Sequence, residues 1–195
     1  MRIVGGKWRG RTIESPEGRG VTRPTTDRTR EQIASMILSA RGLDLAEDSV
    51  LDAFAGSGAM GLELLSRGAA HATFVDRDRR AAARLRRSAD ALGARENELS
   101  VLSGDVFALV GRGFPGAPFD IVFLDPPYAI EASRVSRLVD EMMSSGQLGE
   151  GAVIVYEHAS DKEGLACEGL SLVKSKTHGI TTVDLLVVRV AEERR

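Results

Sequence analysis

Alternating strand-type and helix-type segments, from residue 49 onward, constrain the fold of this chain most strongly. Short runs of apolar and β-branched residues recur there, and segments with helical periodicity separate them. This alternation predicts a doubly wound α/β fold with a mainly parallel sheet. Two further strands, 170–175 and 181–190, would complete a seven-stranded sheet as an antiparallel pair. The other strands are predicted at 49–54, 72–76, 99–102, 119–124 and 152–156, and the helices between them at 59–67, 78–92 and 131–143.

The 195 residues fit one main domain, predicted at 25–195, with a small basic extension at 1–24. Residues 1–41 carry nine Lys and Arg against four Asp and Glu, whereas the remainder carries seventeen against twenty-four. An arginine-rich composition explains the choice of Arg over Lys, but it does not explain this asymmetry. A basic leading segment on an acidic body favours contact with a polyanion such as nucleic acid.

The extension contains β-branched residues on either side of Gly5-Gly6 and Gly10, which predicts a small β-hairpin. Its basic side chains and single tryptophan are of the types that bind phosphates and stack on an unpaired base. Alternatively, Trp8 anchors the hairpin to the domain, and the two interpretations are compatible. The candidate nucleic-acid-binding residues are Arg2, Lys7, Trp8, Arg9 and Arg11, together with Arg28 and Arg30 in the first turns of the following helix.

Cys167 is the only cysteine, which excludes an internal disulfide framework and indicates a reducing compartment. The first residues lack the apolar stretch of a signal peptide, and no run of eighteen apolar residues follows. We therefore expect a cytoplasmic protein without a membrane segment. We also expect no metal site, because the three histidines, His71, His158 and His178, show no ligand spacing.

The segment Gly56-Ser57-Gly58-Ala59-Met60-Gly61 matches the G-x-G-x-x-G pattern, follows a predicted strand and opens a predicted helix. An acid, Asp76, stands at the end of the next strand. Small residues let a cofactor approach the backbone, and an acid in this place binds ribose hydroxyls. The pattern predicts a site for an adenosine-type cofactor, but alone it leaves both a nicotinamide dinucleotide and S-adenosylmethionine open.

Three further acids at strand ends favour S-adenosylmethionine. Asp52 precedes the glycine turn, where it would repel a pyrophosphate and attract the ammonium group of a methionine moiety. Asp105, followed by Val106, comes after the third strand, where an acceptor can take the adenine amino group. Asp125 opens the turn Asp125-Pro126-Pro127-Tyr128 after the fourth strand, and two prolines make that turn stiff. The turn offers hydrogen-bond acceptors and an aromatic face to a planar substrate that carries an amino group.

The ordered set of motifs resembles the RsmD family of 16S ribosomal RNA (guanine-N2)-methyltransferases. The resemblance rests on the cofactor loop, Asp-Pro-Pro-Tyr, residues 2–11 (RIVGGKWRGR) and residues 22–31 (TRPTTDRTRE), and it is weakest over the last 35 residues. It implies a class I, Rossmann-like methyltransferase that uses S-adenosylmethionine, needs no metal and modifies guanine 966 of 16S rRNA, within a 30S subunit or an assembly intermediate. The cofactor residues implied are Asp52, Phe54, Ala55, Gly56, Ser57, Gly58, Asp76, Arg77, Asp105, Val106, Arg23, Pro24, Thr25 and Thr26, and the catalytic residues implied are Asp125, Pro126, Pro127 and Tyr128.

Other functions stay open on the residues alone. The Asp-Pro-Pro-Tyr turn also suits a DNA amino-methyltransferase that acts on adenine N6 or cytosine N4, and the basic extension does not distinguish RNA from DNA. A dehydrogenase is disfavoured by Asp52, and cytosine-C5 methylation needs a nucleophilic thiolate that Cys167 is poorly placed to supply. An RNA-binding module without catalysis is disfavoured by the complete cofactor set. The choice of guanine comes from the resemblance.

Overall fold

The computed structural model describes residues 1–15 and 27–189. Its centre is a seven-stranded sheet in the order β3-β2-β1-β4-β5-β7-β6. The first five strands run parallel, and β7 pairs antiparallel with both β5 and β6. The predicted doubly wound, mainly parallel sheet is confirmed. The strands are β1 Ser49–Asp52, β2 His71–Asp76, β3 Leu99–Ser103, β4 Phe119–Leu124, β5 Leu148–Ala159, β6 Leu170–His178 and β7 Thr181–Val188.

Helices cover both faces of the sheet because the central strands are apolar on both sides. One face packs against α1, α2, α3 and the amino-terminal segment, and the other packs against α4 and α5. Along β1, for example, Val50 belongs to the first core and Leu51 to the second. The helices are α1 Asp27–Ala40, α2 Ala59–Ser66, α3 Arg79–Leu92, α4 Val106–Leu109 and α5 Ala132–Ser144.

The predicted and observed bounds of strands and helices differ at their ends, where loops and helix caps begin. Strand β1 ends at Asp52, two residues before its predicted end, because the chain turns into the glycine loop. Asp78 is the N-cap of α3 and accepts a hydrogen bond from the Arg80 N–H. The short helix α4 was not predicted, since four residues are too few to show helical periodicity.

The amino-terminal segment, residues 1–15, is more closely integrated than an extension would be. The predicted hairpin is reduced to one antiparallel bridge, between Arg2 and Thr12, around a 3₁₀ turn at Gly6–Trp8. Ile3, Trp8 and Ile13 are 1%, 5% and 2% exposed and belong to the core on the α1–α3 face. The segment therefore contributes apolar side chains to the domain core. Residues 16–24 of the predicted extension lie outside the described residues.

Among residues 1–15 and 27–189, no helix combines the length and the apolarity needed to cross a bilayer.

Candidate active site

The four predicted acids lie at the carboxyl ends of four adjacent parallel strands. Asp52 ends β1, Asp76 ends β2, Asp105 follows β3 and Asp125 follows β4. The register pairs Asp52 with Phe123, and Asp125 follows two residues later, just past the end of β4, close enough for its charge to act on Asp52. Ligands of open α/β sheets bind at this edge.

The glycine loop between β1 and α2 is shaped by positive backbone angles and by close packing. Gly56 and Gly58 have φ of 52° and 73°, a region that favours glycine. A Cβ on Gly58 would meet the Leu85 side chain at 2.5 Å, and one on Gly61 would meet the Phe74 ring at 2.3 Å. Among residues 1–15 and 27–189, a Cβ on Gly56 would meet nothing within 4 Å. The outer side of the loop is therefore open at Gly56, where a cofactor could approach the backbone.

Asp76 holds this loop in place from the neighbouring strand. One carboxylate oxygen accepts a 2.7 Å hydrogen bond from the Gly56 N–H, and the other accepts one of 2.7 Å from the Asp78 N–H. The Ala55 N–H also bonds to the Val75 carbonyl at 2.9 Å. Each carboxylate oxygen has a second lone pair. Asp76 can therefore accept further hydrogen bonds from hydroxyl groups while it keeps the loop in shape.

Asp52 is a buried carboxylate beneath the loop. It is 2% exposed, and one oxygen accepts a 3.1 Å hydrogen bond from the Gly61 N–H in the first turn of α2. Burial, together with the neighbouring charges of Asp125 and Asp76, raises the pKa of Asp52 from 3.8 to about 7. A cation placed against this group would favour its ionised form. The site therefore suits a ligand with an ammonium group.

The Asp-Pro-Pro-Tyr turn places a second perturbed carboxyl beside the first. Burial raises the pKa of Asp125 from 3.8 to about 6. Pro126 is buried, whereas the Tyr128 ring is 52% exposed, and its hydroxyl lies 3.0 Å from Thr181 Oγ1 at the start of β7. A pocket of about 320 Å³ is lined by residues 126–128 of the turn and residues 156–159 of β5. The Tyr128 ring is therefore accessible from this pocket.

The end of β3 supplies a mixed polar and aromatic wall. One oxygen of Asp105 accepts a 3.0 Å hydrogen bond from the Phe107 N–H and so caps α4, and the other lies 3.5 Å from an Arg134 nitrogen. The Phe107 ring lies 5.9 Å from the Phe54 ring, with the Arg134 guanidinium 3.9 Å from its centroid. Val106 is 3% exposed, and Arg77 beyond β2 is exposed. This wall offers flat apolar surface and one acceptor, as an adenine ring needs.

The predicted cofactor residues that the structure describes converge at one sheet edge. Arg23, Pro24, Thr25 and Thr26 lie outside the described residues. For this set the structure offers a buried carboxylate for a cation, a carboxylate with spare lone pairs for hydroxyls, and a glycine backbone open to solvent. These features fit S-adenosylmethionine. A pyrophosphate fits poorly, because its negative charges would meet the carboxylates of Asp52 and Asp76.

The candidate nucleic-acid-binding residues do not all face solvent. Trp8 is 5% exposed and Arg30 is 2% exposed, so neither is available for a base or a phosphate in this conformation. The reason is packing: the Trp8 ring lies in the core, and Arg30 donates to Asp27 and to the Arg2 carbonyl. The anchoring interpretation of Trp8 is confirmed. The exposed members are Arg2, Lys7, Arg9, Arg11 and Arg28. Arg2 forms an ion pair with Asp27, and Lys7 forms one with Glu98. Arg11 donates hydrogen bonds to the carbonyls of Ala91 and Leu92.

Sequence reasoning missed the polar residues of α2 that hold the amino-terminal segment. Glu63 is 0% exposed and accepts hydrogen bonds from the N–H groups of Val4 and Gly5, at 2.8 and 2.7 Å. Ser66 accepts one from the Trp8 N–H at 2.9 Å and donates one to the Gly5 carbonyl. A lone acid within the apolar run AMGLELLS was the available signal, because a buried carboxylate requires partners.

The chain matches known proteins along nearly all of its length. A family described as "Conserved hypothetical protein 95" matches residues 1–187. Ribosomal RNA small subunit methyltransferase D of Escherichia coli K12 is 35% identical over 157 residues, which cover 80% of this chain and 74% of that protein. The protein of the same name from Haemophilus influenzae is 30% identical, and the match covers 95% of this chain and 92% of that protein.

The chain belongs to the RsmD family. Solved structures agree: the Escherichia coli protein yhhF has a TM-score of 0.81 at 29% identity, covering 97% of this chain and 98% of that chain. A magnesium protoporphyrin IX methyltransferase from Synechocystis PCC 6803, at 19% identity and a TM-score of 0.63, covers 84% of this chain and 79% of that chain and shares the fold. This RsmD-family chain is a methyltransferase with the class I, Rossmann-like fold.

Proposed function

We propose that this protein transfers a methyl group from S-adenosylmethionine to the exocyclic N2 amine of a guanine in 16S ribosomal RNA. The observation that carries the proposal is the Asp125–Tyr128 turn, which stands beside the buried Asp52 on the edge that also bears the glycine loop. The names of the relatives, ribosomal RNA small subunit methyltransferase D, support RNA of the small subunit as the substrate. Guanine 966, in free rRNA or in an assembling 30S subunit, is the position that the family resemblance implies.

The residues that would hold the cofactor follow from their chemistry. Asp52 would bind the methionine ammonium, Asp76 the ribose hydroxyls, and Asp105 with Val106 the adenine edge. When bound, S-adenosylmethionine supplies an electrophilic methyl group on a positively charged sulfur. The chain then has to place a nucleophile in line with that methyl group, and positioning of this kind is worth roughly 7–11 kcal/mol in favourable cases.

Asp125 and the Pro126 carbonyl supply the acceptors that a poor nucleophile needs. The lone pair of a guanine N2 amine is delocalised into the ring. Hydrogen bonds from the amine to these two acceptors would favour a pyramidal nitrogen and free its lone pair. Tyr128 would stack on the base after it has been turned out of its helix or stack. The proton that nitrogen loses passes to Asp125 or to water.

Activity should depend on the ionised form of Asp125. Because burial raises the pKa of this carboxyl to about 6, the acceptor is largely protonated below that pH. We expect the rate at limiting cofactor, which reports the free enzyme, to rise with pH through about 6 to 7, where Asp125 and Asp52 ionise, and then to level off. A rate that stays flat between about pH 5 and pH 8 would argue against a carboxylate acceptor.

The proposal is tested by incubating the enzyme with radiolabelled S-adenosylmethionine and, separately, with 30S subunits, naked 16S rRNA and duplex DNA. Nucleoside mass spectrometry then identifies the product. We expect label in RNA as N2-methylguanosine. Label in DNA as N6-methyladenine or N4-methylcytosine would instead establish the alternative, a DNA amino-methyltransferase, whose chemistry the same turn serves.

Replacement of Asp125 by alanine tests the role of the turn. Asp125→Ala removes one amine acceptor, and we expect the single-turnover rate to fall about 100-fold or more. The affinity for S-adenosylhomocysteine, measured by calorimetry, should be kept. Equal losses of rate and cofactor affinity would mean that Asp125 shapes the cofactor site instead.

Asp120 provides a matched control on the same strand. It lies at the far end of β4, where its carboxylate accepts a 3.0 Å hydrogen bond from the Ser49 N–H and pairs with Arg41 at 3.3 Å. Asp120→Ala should therefore lower thermal stability and leave the single-turnover rate of the folded enzyme nearly unchanged.

Cytosine-C5 methylation receives no support from the surroundings of the only thiol. Burial raises the pKa of Cys167 to about 12, and its Sγ lies 3.5 Å from the Ser136 carbonyl of α5. A thiol in that state is protonated and a weak nucleophile at neutral pH.

A further inference from the structure

A groove between α3 and the amino-terminal segment is lined by three arginines. Arg80, Arg84 and Arg87 occur at i, i+4 and i+7, which places them on one side of α3. Glu14 and Ser15 lie opposite them, and together with Ala83 these residues enclose about 540 Å³. None of the three arginines belongs to the cofactor site or to the Asp-Pro-Pro-Tyr turn.

The charge of this groove is positive and only partly balanced. Arg87 forms a two-point ion pair with Glu14, at 2.9 and 2.6 Å. Arg84 lies 3.8 Å from Asp78, and its Nε is buried without a hydrogen-bond partner among residues 1–15 and 27–189. Arg80 is exposed and forms no ion pair within those same ranges. The positive charge of Arg80 is therefore not needed to hold the described fold together.

The groove adjoins the cofactor loop. The amino-terminal ammonium of Met1 donates a 3.0 Å hydrogen bond to Ser15 Oγ, on the wall of the groove. The Met1 sulfur lies 3.7 Å from Ser57 Oγ, within the glycine loop. Helix α3 itself starts three residues after Asp76. A single nucleic-acid strand bound along the groove would thus run towards the sheet edge that bears the proposed methyl-transfer site.

We propose that this groove binds the phosphodiester backbone of the substrate RNA next to the modified nucleotide. The inference rests on the proposed function, since it assigns a binding surface to that substrate. Guanidinium groups bind phosphate oxygens in a two-point geometry. From Arg80 to Arg87 the helix rises about 10 Å, so the row can contact more than one phosphate of a single strand. Glu14 restrains Arg87 until phosphate replaces it.

The proposal predicts effects of opposite sign for two neighbouring substitutions. Arg80→Gln removes a phosphate contact, so the affinity for naked 16S rRNA should fall several-fold at about 0.1 M salt, and the slope of log affinity against log salt should shrink by about 0.7. Glu14→Gln removes the acid from the groove and frees Arg87, so affinity should rise. Filter binding with labelled naked 16S rRNA between about 50 and 200 mM salt measures both quantities.

Arg137→Gln is the matched control, because Arg137 is an exposed arginine on α5, which covers the opposite face of the sheet. It should leave affinity and salt slope unchanged. All three variants should bind S-adenosylhomocysteine like the unmodified protein, which confirms that they are folded.

Two failures are distinguishable. In the first, the unmodified enzyme methylates rRNA, and the Arg80→Gln and Glu14→Gln variants bind rRNA with the same affinity and salt slope as the unmodified enzyme. The groove is then not the RNA-binding surface, and the proposed function stands. If the unmodified enzyme neither binds nor methylates rRNA, the proposed function itself fails. If Arg80→Gln and Arg137→Gln lower the rRNA affinity equally, Arg80 acts only through the general surface charge, and the inference is overturned.

Discussion

At the scale of single residues, the site depends on carboxyl groups that the fold holds away from water. Asp52 costs the folded protein free energy whenever it is ionised without a cation. Its pKa in the folded state, about 7, lies above the ordinary 3.8, so the folded state holds this proton more tightly than the unfolded state does. The contribution of Asp52 to the free energy of unfolding therefore decreases as pH rises from about 4 to about 7.

Asp52→Asn should stabilise the cofactor-free protein at pH 8. The amide oxygen can still accept the hydrogen bond from the Gly61 N–H, while the buried charge is gone. We expect the free energy of unfolding in urea to increase by a few kcal/mol, with about 4 kcal/mol as an upper limit from the pKa shift, and the gain should shrink near pH 5. The same variant should bind S-adenosylmethionine more weakly, because the ammonium group loses its counter-charge.

A loss of stability at pH 8 would contradict this account of Asp52 and would give its carboxylate a structural role. Binding of S-adenosylmethionine to the unmodified protein supplies a second check. The bound cation favours the ionised carboxyl of Asp52, so the affinity for S-adenosylmethionine should rise with pH up to about 7. Below about pH 7, binding should release a fraction of a proton from this carboxyl.

The sequence allowed these acids to be predicted but not the burial of Trp8 or Arg30. Asp52 and Asp125 each end an apolar strand, so their shared edge follows from the parallel topology alone. Trp8 and Arg30 are contacted by segments distant in sequence, α2 and residues 1–2, and no local pattern shows such contacts. Whether a basic or aromatic side chain is buried depends on which distant element packs over it.

At the scale of elements, α2 joins the cofactor loop to the amino-terminal segment. All eight of its residues are buried, which is unusual for a helix that contains a glutamate. Its Glu63 and Ser66 bind the backbone of residues 4–8, and its first turn donates the Gly61 N–H to Asp52. The Gly-Gly-Lys-Trp motif, which the sequence presents as part of a nucleic-acid-binding extension, thus serves to dock the segment on α2.

Gly6→Ala should be far more destabilising than Gly10→Ala. Both glycines have positive φ, 74° and 83°, so each substitution brings the left-handed penalty of about 1–2 kcal/mol. A Cβ on Gly6 would also lie 1.8 Å from the Ser66 carbonyl oxygen, whereas a Cβ on Gly10 would meet nothing within 4 Å in the part of the chain that the structure describes. We expect Gly6→Ala to cost about 3 kcal/mol or more in urea unfolding, through loss of docking. Equal costs for the two variants would mean that the segment does not depend on contact with α2.

At the scale of the whole molecule, the question is whether residues 1–15 unfold with the domain or apart from it. The seven strands and the three longer helices from residue 49 onward were predicted, because their periodicity is local, although β5 is longer than its predicted range of 152–156 and α4 was not predicted. The integration of the amino-terminal segment was not predictable, because it rests on contacts such as Gly5 with Glu63 and Arg11 with Leu92, across 58 and 81 residues. Deleting the segment would therefore remove Ile3, Trp8 and Ile13 from the core. A truncated protein that no longer binds RNA would then have lost core packing as well as an RNA-binding surface.

The full-length protein tests this integration through its single tryptophan. Trp8 reports on the amino-terminal segment and far-ultraviolet circular dichroism reports on the helices and strands, so both signals can be followed in one urea titration. Because the Trp8 ring is 5% exposed within the core that α1, α2 and α3 share, we expect the two transitions to coincide in midpoint and slope. The Gly6→Ala variant should move both midpoints together. A Trp8 transition at lower urea than the loss of dichroism would instead make residues 1–15 a separately unfolding arm, and truncation would then become a fair test of RNA binding.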